Sequence, residues 1–122
     1  MGRGNRSRIR YEYELRDILR SCGFYAVRLP ASGRGYHFDV LAYKYPYLYL
    51  IEVKSSSRGV FRLSEDQKAE IERLASGAQA GICIAVAKRH VGKGRGGWEV
   101  EFVLCTEGAR EAFVSCPIFQ GG

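Results

Sequence analysis

YLYLIEVKSS (residues 47–56) is the most apolar strand-like stretch of the chain. Its nearly continuous run of aliphatic and aromatic side chains indicates a strand that is covered on both faces, at the centre of a sheet. Alternation along a strand places Glu52 and Lys54 on the same face as the two leucines of this stretch. A carboxylate among core residues costs on the order of several kcal/mol unless it is paired or binds a metal. Glu52 is therefore the first candidate for a functional residue.

The preceding stretch, YHFDVLAYK (36–44), predicts a second strand that turns back through Tyr45-Pro46. With Lys44 opposite Tyr47, an antiparallel register brings Asp39 opposite Glu52 on the same face. Like charges that face each other destabilise a sheet. Two such carboxylates need a shared proton or a cation between them.

A divalent cation suits this pair, because Mg²⁺ takes carboxylate oxygens, keeps several waters and is often held by only one or two carboxylates. The backbone carbonyl of Val53 lies between Glu52 and Lys54 in the sequence and is a further candidate ligand. Lys54 would stand beside the ion, where it can position the nucleophile or stabilise charge on phosphorus. We expect Mg²⁺ as the cofactor, with Mn²⁺ as a substitute.

The remaining sequence supplies helices and strands around this hairpin. An apolar helical repeat predicts a first helix over 8–22 that ends at Gly23, and Ser64 with Gln67 forms a capping box for a helix over 65–76. The other predicted elements are strands over 24–30, 80–88 and 98–106, loops over 31–35 and 90–97, and a short helix near Glu107–Phe113. This order predicts an α/β fold, a mixed five-stranded sheet flanked by helices.

Charge and length favour one nucleic-acid-binding domain. The chain of 122 residues contains 19 Lys and Arg and 13 Asp and Glu, so its net charge is +6. Such a balance favours a polyanionic partner, although a thermophile-like charged surface is the alternative. We expect residues 1–7 to form a flexible basic arm and 8–122 a single domain. No apolar run approaches the roughly 18 residues of a membrane span, and the N-terminus is not a secretory signal.

The four cysteines lack the close spacing of a zinc site. Cys22, Cys83 and Cys105 have apolar neighbours and are interpreted as small core residues, with a disulfide left open.

Asp39, Glu52 and Lys54 resemble the motif of the PD-(D/E)xK nuclease superfamily, although Phe38 stands where the superfamily has proline. Most of residues 8–88 resembles more narrowly the archaeal-type Holliday junction resolvases, which are also found in some viruses. The stretches that carry this resemblance are YEYEL (11–15), GF (23–24), AVR (26–28), PASG (30–33) and IEVK (51–54).

The resemblance implies a restriction-endonuclease-like fold and a metal-dependent DNA endonuclease. A homodimer would cut a four-way junction symmetrically in the cytoplasm of an archaeon or of a viral host. By position, Asp39 and Glu52 would be metal ligands and Lys54 the catalytic lysine. Glu12 would be a further ligand or would orient a metal-bound water, and the alternative for it is a solvated helix flank. Ser32 would lie near the scissile phosphate, and the alternative for it is a simple turn residue.

Basic side chains near these positions are candidates for contact with DNA phosphates, and each alone could equally be a solvated charge. They are Arg8, Arg10, Arg28, Arg34, Arg58, Lys93 and Arg95. Two further functions stay open: another repair or restriction-type nuclease of the superfamily, and a non-catalytic DNA-binding subunit. Apposed carboxylates argue against the latter, because a binding module has no use for them.

Overall fold

The computed structural model describes residues 2–30, 38–76, 81–92 and 96–119, with side chains from residue 9 onward. In these residues a five-stranded sheet of order β1-β2-β3-β4-β5 is flanked by helices. The elements along the chain are α1 (Gly2–Ser21), β1 (Tyr25–Arg28), β2 (Val40–Lys44), β3 (Tyr47–Ser56), α2 (Glu65–Ser76), β4 (Ile82–His90), β5 (Gly97–Leu104), α3 (Glu107–Val114) and a 3₁₀ turn (Pro117–Phe119). Strands β3 and β4 are parallel and all other neighbours antiparallel, which confirms the predicted mixed sheet.

Strand β3 lies in the middle of the sheet, as its apolar sequence predicts. Tyr49 and Ile51 on one of its faces are fully buried against Leu15 and Leu19 of α1 and Phe113 of α3. The hydroxyl of Tyr49 is also satisfied there by a backbone carbonyl of α3, at 2.7 Å. This face of the sheet therefore holds the main hydrophobic core.

The β2–β3 hairpin has the register that the sequence predicts. Lys44 pairs with Tyr47 and Val40 with Ile51 across the two strands. Asp39 precedes β2 by one residue, and its backbone N–H donates to the carbonyl of Ile51 at 2.9 Å. The hairpin thus brings Asp39 level with Glu52.

Helix α1 begins at Gly2, six residues before the predicted start, so residues 2–7, predicted as a flexible arm, have a helical backbone. This stretch contains no proline, and Arg3 and Arg6 favour a helix, whereas Gly2 and Gly4 disfavour it. The other end is as predicted: Gly23 has φ of 91°, and the N–H of Phe24 donates to the carbonyl of Leu19 at 3.0 Å.

Several strand boundaries differ from prediction by a few residues, whereas β3 and α2 have the predicted bounds. Strand β4 runs two residues further, to His90, and shortens the predicted glycine-rich loop. Strand β5 ends at Leu104 because Thr106 already serves as the N-cap of α3, its side chain accepting from Ala109 N at 3.3 Å.

The cysteines form two disulfides, so their interpretation as separate core thiols is wrong. Cys22 pairs with Cys116 and Cys83 with Cys105. The partners are 94 and 22 residues apart in sequence, and only the fold brings them together. One bridge joins the end of α1 to the segment after α3, and the other joins β4 to the end of β5.

Candidate active site

Asp39 and Glu52 meet on the sheet where the hairpin register predicts them. The carboxylate of Asp39 is oriented by the backbone of β3, because its Oδ2 accepts a hydrogen bond from the N–H of Val53 at 2.8 Å. Asp39 is also the charge that contributes most, after burial, to the raised pKa of Glu52. The two acidic side chains are therefore electrostatic neighbours, as predicted.

Glu52 is only 4% exposed. Its Oε2 accepts from Gln67 Nε2 at 2.5 Å and lies 3.4 Å from Lys54 Nζ. Burial and the charge of Asp39 together raise its pKa from the usual 4.5 to about 8, against the opposing effects of Lys54 and Gln67. Its Oε1 is buried and has no hydrogen-bond partner among the described residues. A buried acceptor without a donor is costly, so this oxygen needs a proton or a cation.

Glu12 extends the acidic cluster from α1. It is 3% exposed, and its Oε1 accepts from Arg28 Nε on β1 at 2.6 Å. Burial first and then the charge of Asp39 raise the pKa of Glu12, although Arg28 opposes the shift. Glu12 is therefore a buried neighbour of Asp39, not a solvated helix flank.

Glu14 lies on the opposite flank of α1 and takes no part in this cluster. Its Oε1 pairs with Arg89 Nε of β4 at 3.2 Å, and its side chain is 36% exposed. The two glutamates of the YEYEL stretch thus have separate partners.

The sequence makes Arg28 a candidate for phosphate contact, and the structure gives it a carboxylate partner. Its side chain is 18% exposed and is held by Glu12. Sequence reasoning missed this pair because 16 residues separate the two side chains. Arg28 holds Glu12 in place and offsets part of the negative charge.

Gln67 contacts the acidic cluster as well as the helix cap to which the sequence assigns it. Its capping box is present, with Ser64 N donating to Gln67 Oε1 at 2.9 Å and Gln67 N to Ser64 Oγ at 3.1 Å. The free amide nitrogen of the same side chain then reaches Glu52. The N-terminus of α2 is thereby tied to the acidic cluster, a contact that the capping pattern alone does not reveal.

The structure describes only some of the other predicted site residues. Arg10 is exposed and donates to the hydroxyl of Tyr11 at 2.8 Å, and Arg58 is exposed just after β3. The side chain of Arg8 and all of Ser32, Arg34, Lys93 and Arg95 lie outside the described residues, so their roles stay predictions.

The donor set fits a hard divalent cation held by few protein ligands. In the part of the chain that the structure describes, no group of three or more His, Cys, Asp and Glu side chains is arranged as a metal site. Two carboxylates suffice for Mg²⁺, which keeps most of its waters. The unpartnered Oε1 of Glu52, beside Asp39, is the oxygen that such an ion would satisfy.

Comparisons with known proteins identify the family of this chain. The family described as archaeal Holliday junction resolvase (hjc) matches residues 3–110. The crossover junction endodeoxyribonuclease of Sulfolobus islandicus rod-shaped virus 1 is 42% identical over 66 residues, which are 52% of each chain, so the match spans about half the length of that relative.

A solved structure of the same family has a similar fold. The structure of Hjc from Archaeoglobus fulgidus, a Holliday junction resolvase from an archaeal hyperthermophile, matches with a TM-score of 0.63 and 28% identity. The match covers 77% of this chain and 74% of that chain, and it supports the predicted restriction-endonuclease-like fold. Because the family match runs from α1 into α3 and includes the whole acidic cluster, the chain belongs to the archaeal Holliday junction resolvase family.

Proposed function

We propose that this chain is a structure-selective DNA endonuclease that resolves four-way junctions. Two copies would cut two strands symmetrically, each copy using Mg²⁺, for which Mn²⁺ substitutes. The observation that carries the proposal is the buried Glu52, whose pKa is raised to about 8 and whose Oε1 has no hydrogen-bond partner among the described residues. Membership of the resolvase family supplies the substrate class.

In this proposal Asp39 and Glu52 are the carboxylate ligands, and the Val53 carbonyl is a third. When bound, a divalent cation supplies Lewis acidity at the phosphate and acidifies a coordinated water. Val53 N–H holds one oxygen of Asp39 and Gln67 holds one oxygen of Glu52, so each carboxylate keeps its other oxygen for the ion.

Lys54 and Glu12 act around this pair. The ammonium group of Lys54, 3.4 Å from Glu52, stabilises negative charge that builds up on the phosphate. Glu12, oriented by Arg28, accepts a hydrogen bond from water beside Asp39 and so orients the nucleophile. Ser32 contacts the scissile phosphate in this proposal.

Binding of DNA in this proposal rests on phosphate contacts more than on bases. The net charge of +6 favours binding to any polyanion. Contacts to phosphates depend on the shape of a junction and not on its base sequence. The side chains proposed for these contacts are Arg8, Arg10, Arg34, Arg58, Lys93 and Arg95. Arg28 is proposed to act through Glu12, since its charge is already paired.

A homodimer is proposed because two symmetric cuts need two active sites related by a two-fold axis. The face of the sheet opposite the main core supports self-association near β1 and β2. Tyr25 and Tyr43 pair across these strands and are 65% and 41% exposed, and Leu41 beside them is half-buried. A second copy of the chain would cover this apolar surface.

We also propose that the enzyme works in the cytoplasm of an archaeon or of a virus-infected archaeal host. Intracellular proteins of hyperthermophilic archaea carry disulfides, so the two bridges are compatible with that compartment. No helix of the described residues is long and apolar enough to cross a membrane.

The test is cleavage of a synthetic four-way junction, with each strand labelled in turn, in Mg²⁺, Mn²⁺ or chelator. A linear duplex of the same arm sequence is the matched substrate. We expect paired cuts at symmetric positions of the junction, in either metal and not in chelator, with the linear duplex left intact.

Other outcomes would decide against this proposal. Equal cleavage of the linear duplex would make the chain a general nuclease of the superfamily. Tight junction binding without cleavage in either metal would make it a DNA-binding subunit.

A further inference from the structure

Tyr13 is an exposed aromatic side chain next to the acidic cluster that the proposed chemistry does not use. It follows Glu12 directly on α1 and is 42% exposed, whereas Tyr11 on the same helix is 5% exposed and belongs to the core. An exposed aromatic ring beside an active site offers a surface for stacking.

Two arginines hold the ring of Tyr13 in place. The guanidinium carbon of Arg28 lies 5.2 Å from the ring centroid, and that of Arg16, one turn further along α1, lies 4.8 Å from it. Arg28 is also the residue that binds Glu12. One guanidinium group therefore links the Tyr13 ring to the carboxylate of Glu12.

The contact with Arg16 is the one that can be exchanged. Arg16 binds Asp17, its neighbour in sequence, at 2.8 Å, and the Asp17 side chain is 62% exposed. Exposed ion pairs of this kind add little to stability. The Arg16 side chain itself is 25% exposed, and a flat ligand on this face of the ring requires Arg16 to move to a nearby phosphate.

From these contacts we propose that Tyr13 is a stacking platform for a nucleobase at the branch point of the junction. This inference rests on the proposed function and adds the feature that distinguishes a junction from a linear duplex. Where helical arms part, base pairs lose a stacking neighbour and present a bare face, which the interior of a linear duplex does not offer. Stacking on an aromatic ring tolerates any base, because every base has a π-face.

The position of the ring matches this role. Tyr13 follows Glu12 in sequence and both contact Arg28, so a strand whose phosphate lies at the acidic cluster would pass close to the ring. The positive charges of Arg16 and Arg28 also suit a polyanion at this place.

The test measures binding of the full chain to a four-way junction and to a linear duplex in chelator, where no cleavage interferes. Tyr13→Leu should weaken junction binding by about 5- to 150-fold, the equivalent of the roughly 1–3 kcal/mol that stacking on one base contributes. Affinity for the linear duplex should stay within about twofold of wild type, because phosphate contacts provide it. Tyr13→Phe should keep wild-type binding to both DNAs.

Tyr45→Leu is the matched control, since Tyr45 is 84% exposed in the turn at the far end of the hairpin. It should bind both DNAs as wild type does. A junction with 2-aminopurine at the branch point gives a second readout, because its fluorescence reports stacking. Wild type and Tyr13→Phe should give the same signal, and Tyr13→Leu a different one.

Two outcomes would overturn the inference while leaving the proposed function intact. One is a Tyr13→Leu protein with the wild-type preference for junctions and the wild-type 2-aminopurine signal. The other is an equal loss of affinity for both DNAs, which would make Tyr13 a structural residue. A wild-type protein with no preference for junctions would instead contradict the proposed function itself.

Discussion

Glu52 is held in an environment that opposes its charge. It is buried in the sheet beside Asp39, and among the residues that the structure describes Lys54 and Gln67 stabilise its ionised form. A surrounding that was built for structure alone would place an apolar side chain here. A doubly charged ion bound to Glu52 would offset the cost of burying this charge. Without the ion, the stability of the protein should depend on pH.

The raised pKa of Glu52, about 8 against an ordinary 4.5, fixes the sign of that sensitivity. Between these values the unfolded chain has lost the proton and the folded chain keeps it, so stability falls as pH rises. Without metal, Glu52→Gln should therefore unfold like wild type at pH 4 and be more stable by on the order of a few kcal/mol at pH 9. Chemical denaturation at the two pH values measures this.

The same substitution at Glu65, whose side chain is 92% exposed, serves as the control and should give no such difference between the two pH values. A Glu52→Gln protein that gains nothing at pH 9 would show that the carboxylate ionises in the folded state without cost. Added Mg²⁺ should stabilise wild type at pH 9 and leave Glu52→Gln unchanged, because the ion replaces the missing positive charge.

The sequence predicts that Asp39 and Glu52 face each other, but it does not predict which side chains contact the acidic cluster. Strand alternation and one turn fix which residues face each other, so the acidic pair is predictable. The contacts of Arg28 with Glu12 and of Gln67 with Glu52 join separate elements. No local pattern contains such contacts, and they depend on how α1 and α2 pack.

Helix α2 shows how one element can both stabilise the fold and contact the acidic cluster. Its capping box satisfies backbone groups at the N-terminus, and the same Gln67 side chain holds Glu52. The two roles use different atoms, because Oε1 accepts from the backbone and Nε2 donates to the carboxylate. They can therefore be separated by mutation.

Ser64→Ala removes the hydroxyl that caps α2 and should lower the free energy of unfolding by about 1 kcal/mol, with little effect on cleavage. Gln67→Glu keeps a capping side chain but loses the donor and adds a negative charge beside Glu52. It should also lose some stability, because the Oε2 of Glu52 loses its donor beside a new negative charge, but cleavage should slow far more than that loss explains. Thermal unfolding and single-turnover cleavage of both variants measure the two effects.

If both variants lost activity in proportion to stability, the link between Gln67 and Glu52 would have no separate role.

The bounds of α2 and β3 were predictable because a capping box and a continuous apolar run mark them. The start of α1 was not, because Arg3 and Arg6 favour a helix there while Gly2 and Gly4 favour a flexible arm.

For the whole molecule, two disulfides tie the C-terminal part of the chain to the sheet and to α1. The Cys22–Cys116 bridge spans 94 residues and the Cys83–Cys105 bridge spans 22. Cross-links act mainly by restricting the unfolded chain, and the effect grows with loop length. The sequence could not reveal the pairing, because four isolated cysteines allow three connectivities.

Replacing Cys22 and Cys116 with alanine should cost about 4–5 kcal/mol, whereas the same change at Cys83 and Cys105 should cost roughly 3 kcal/mol from the cross-link. Denaturant unfolding of both double variants, with and without a reductant, separates the cross-link from the loss of packing. In the reduced state the two variants and wild type should differ far less. An unfolding midpoint of wild type that does not respond to reductant would contradict a stabilising role for the bridges.

In the proposed mechanism Asp39 and Glu52 together hold the ion on which cleavage of junction DNA depends. Single-turnover cleavage of a four-way junction by Asp39→Asn at saturating Mg²⁺, with junction affinity measured on the same preparation, tests it most directly. Cleavage should be lost while junction affinity stays within a few fold of wild type, because the phosphate contacts remain. Cleavage by Asp39→Asn at the wild-type rate would contradict it.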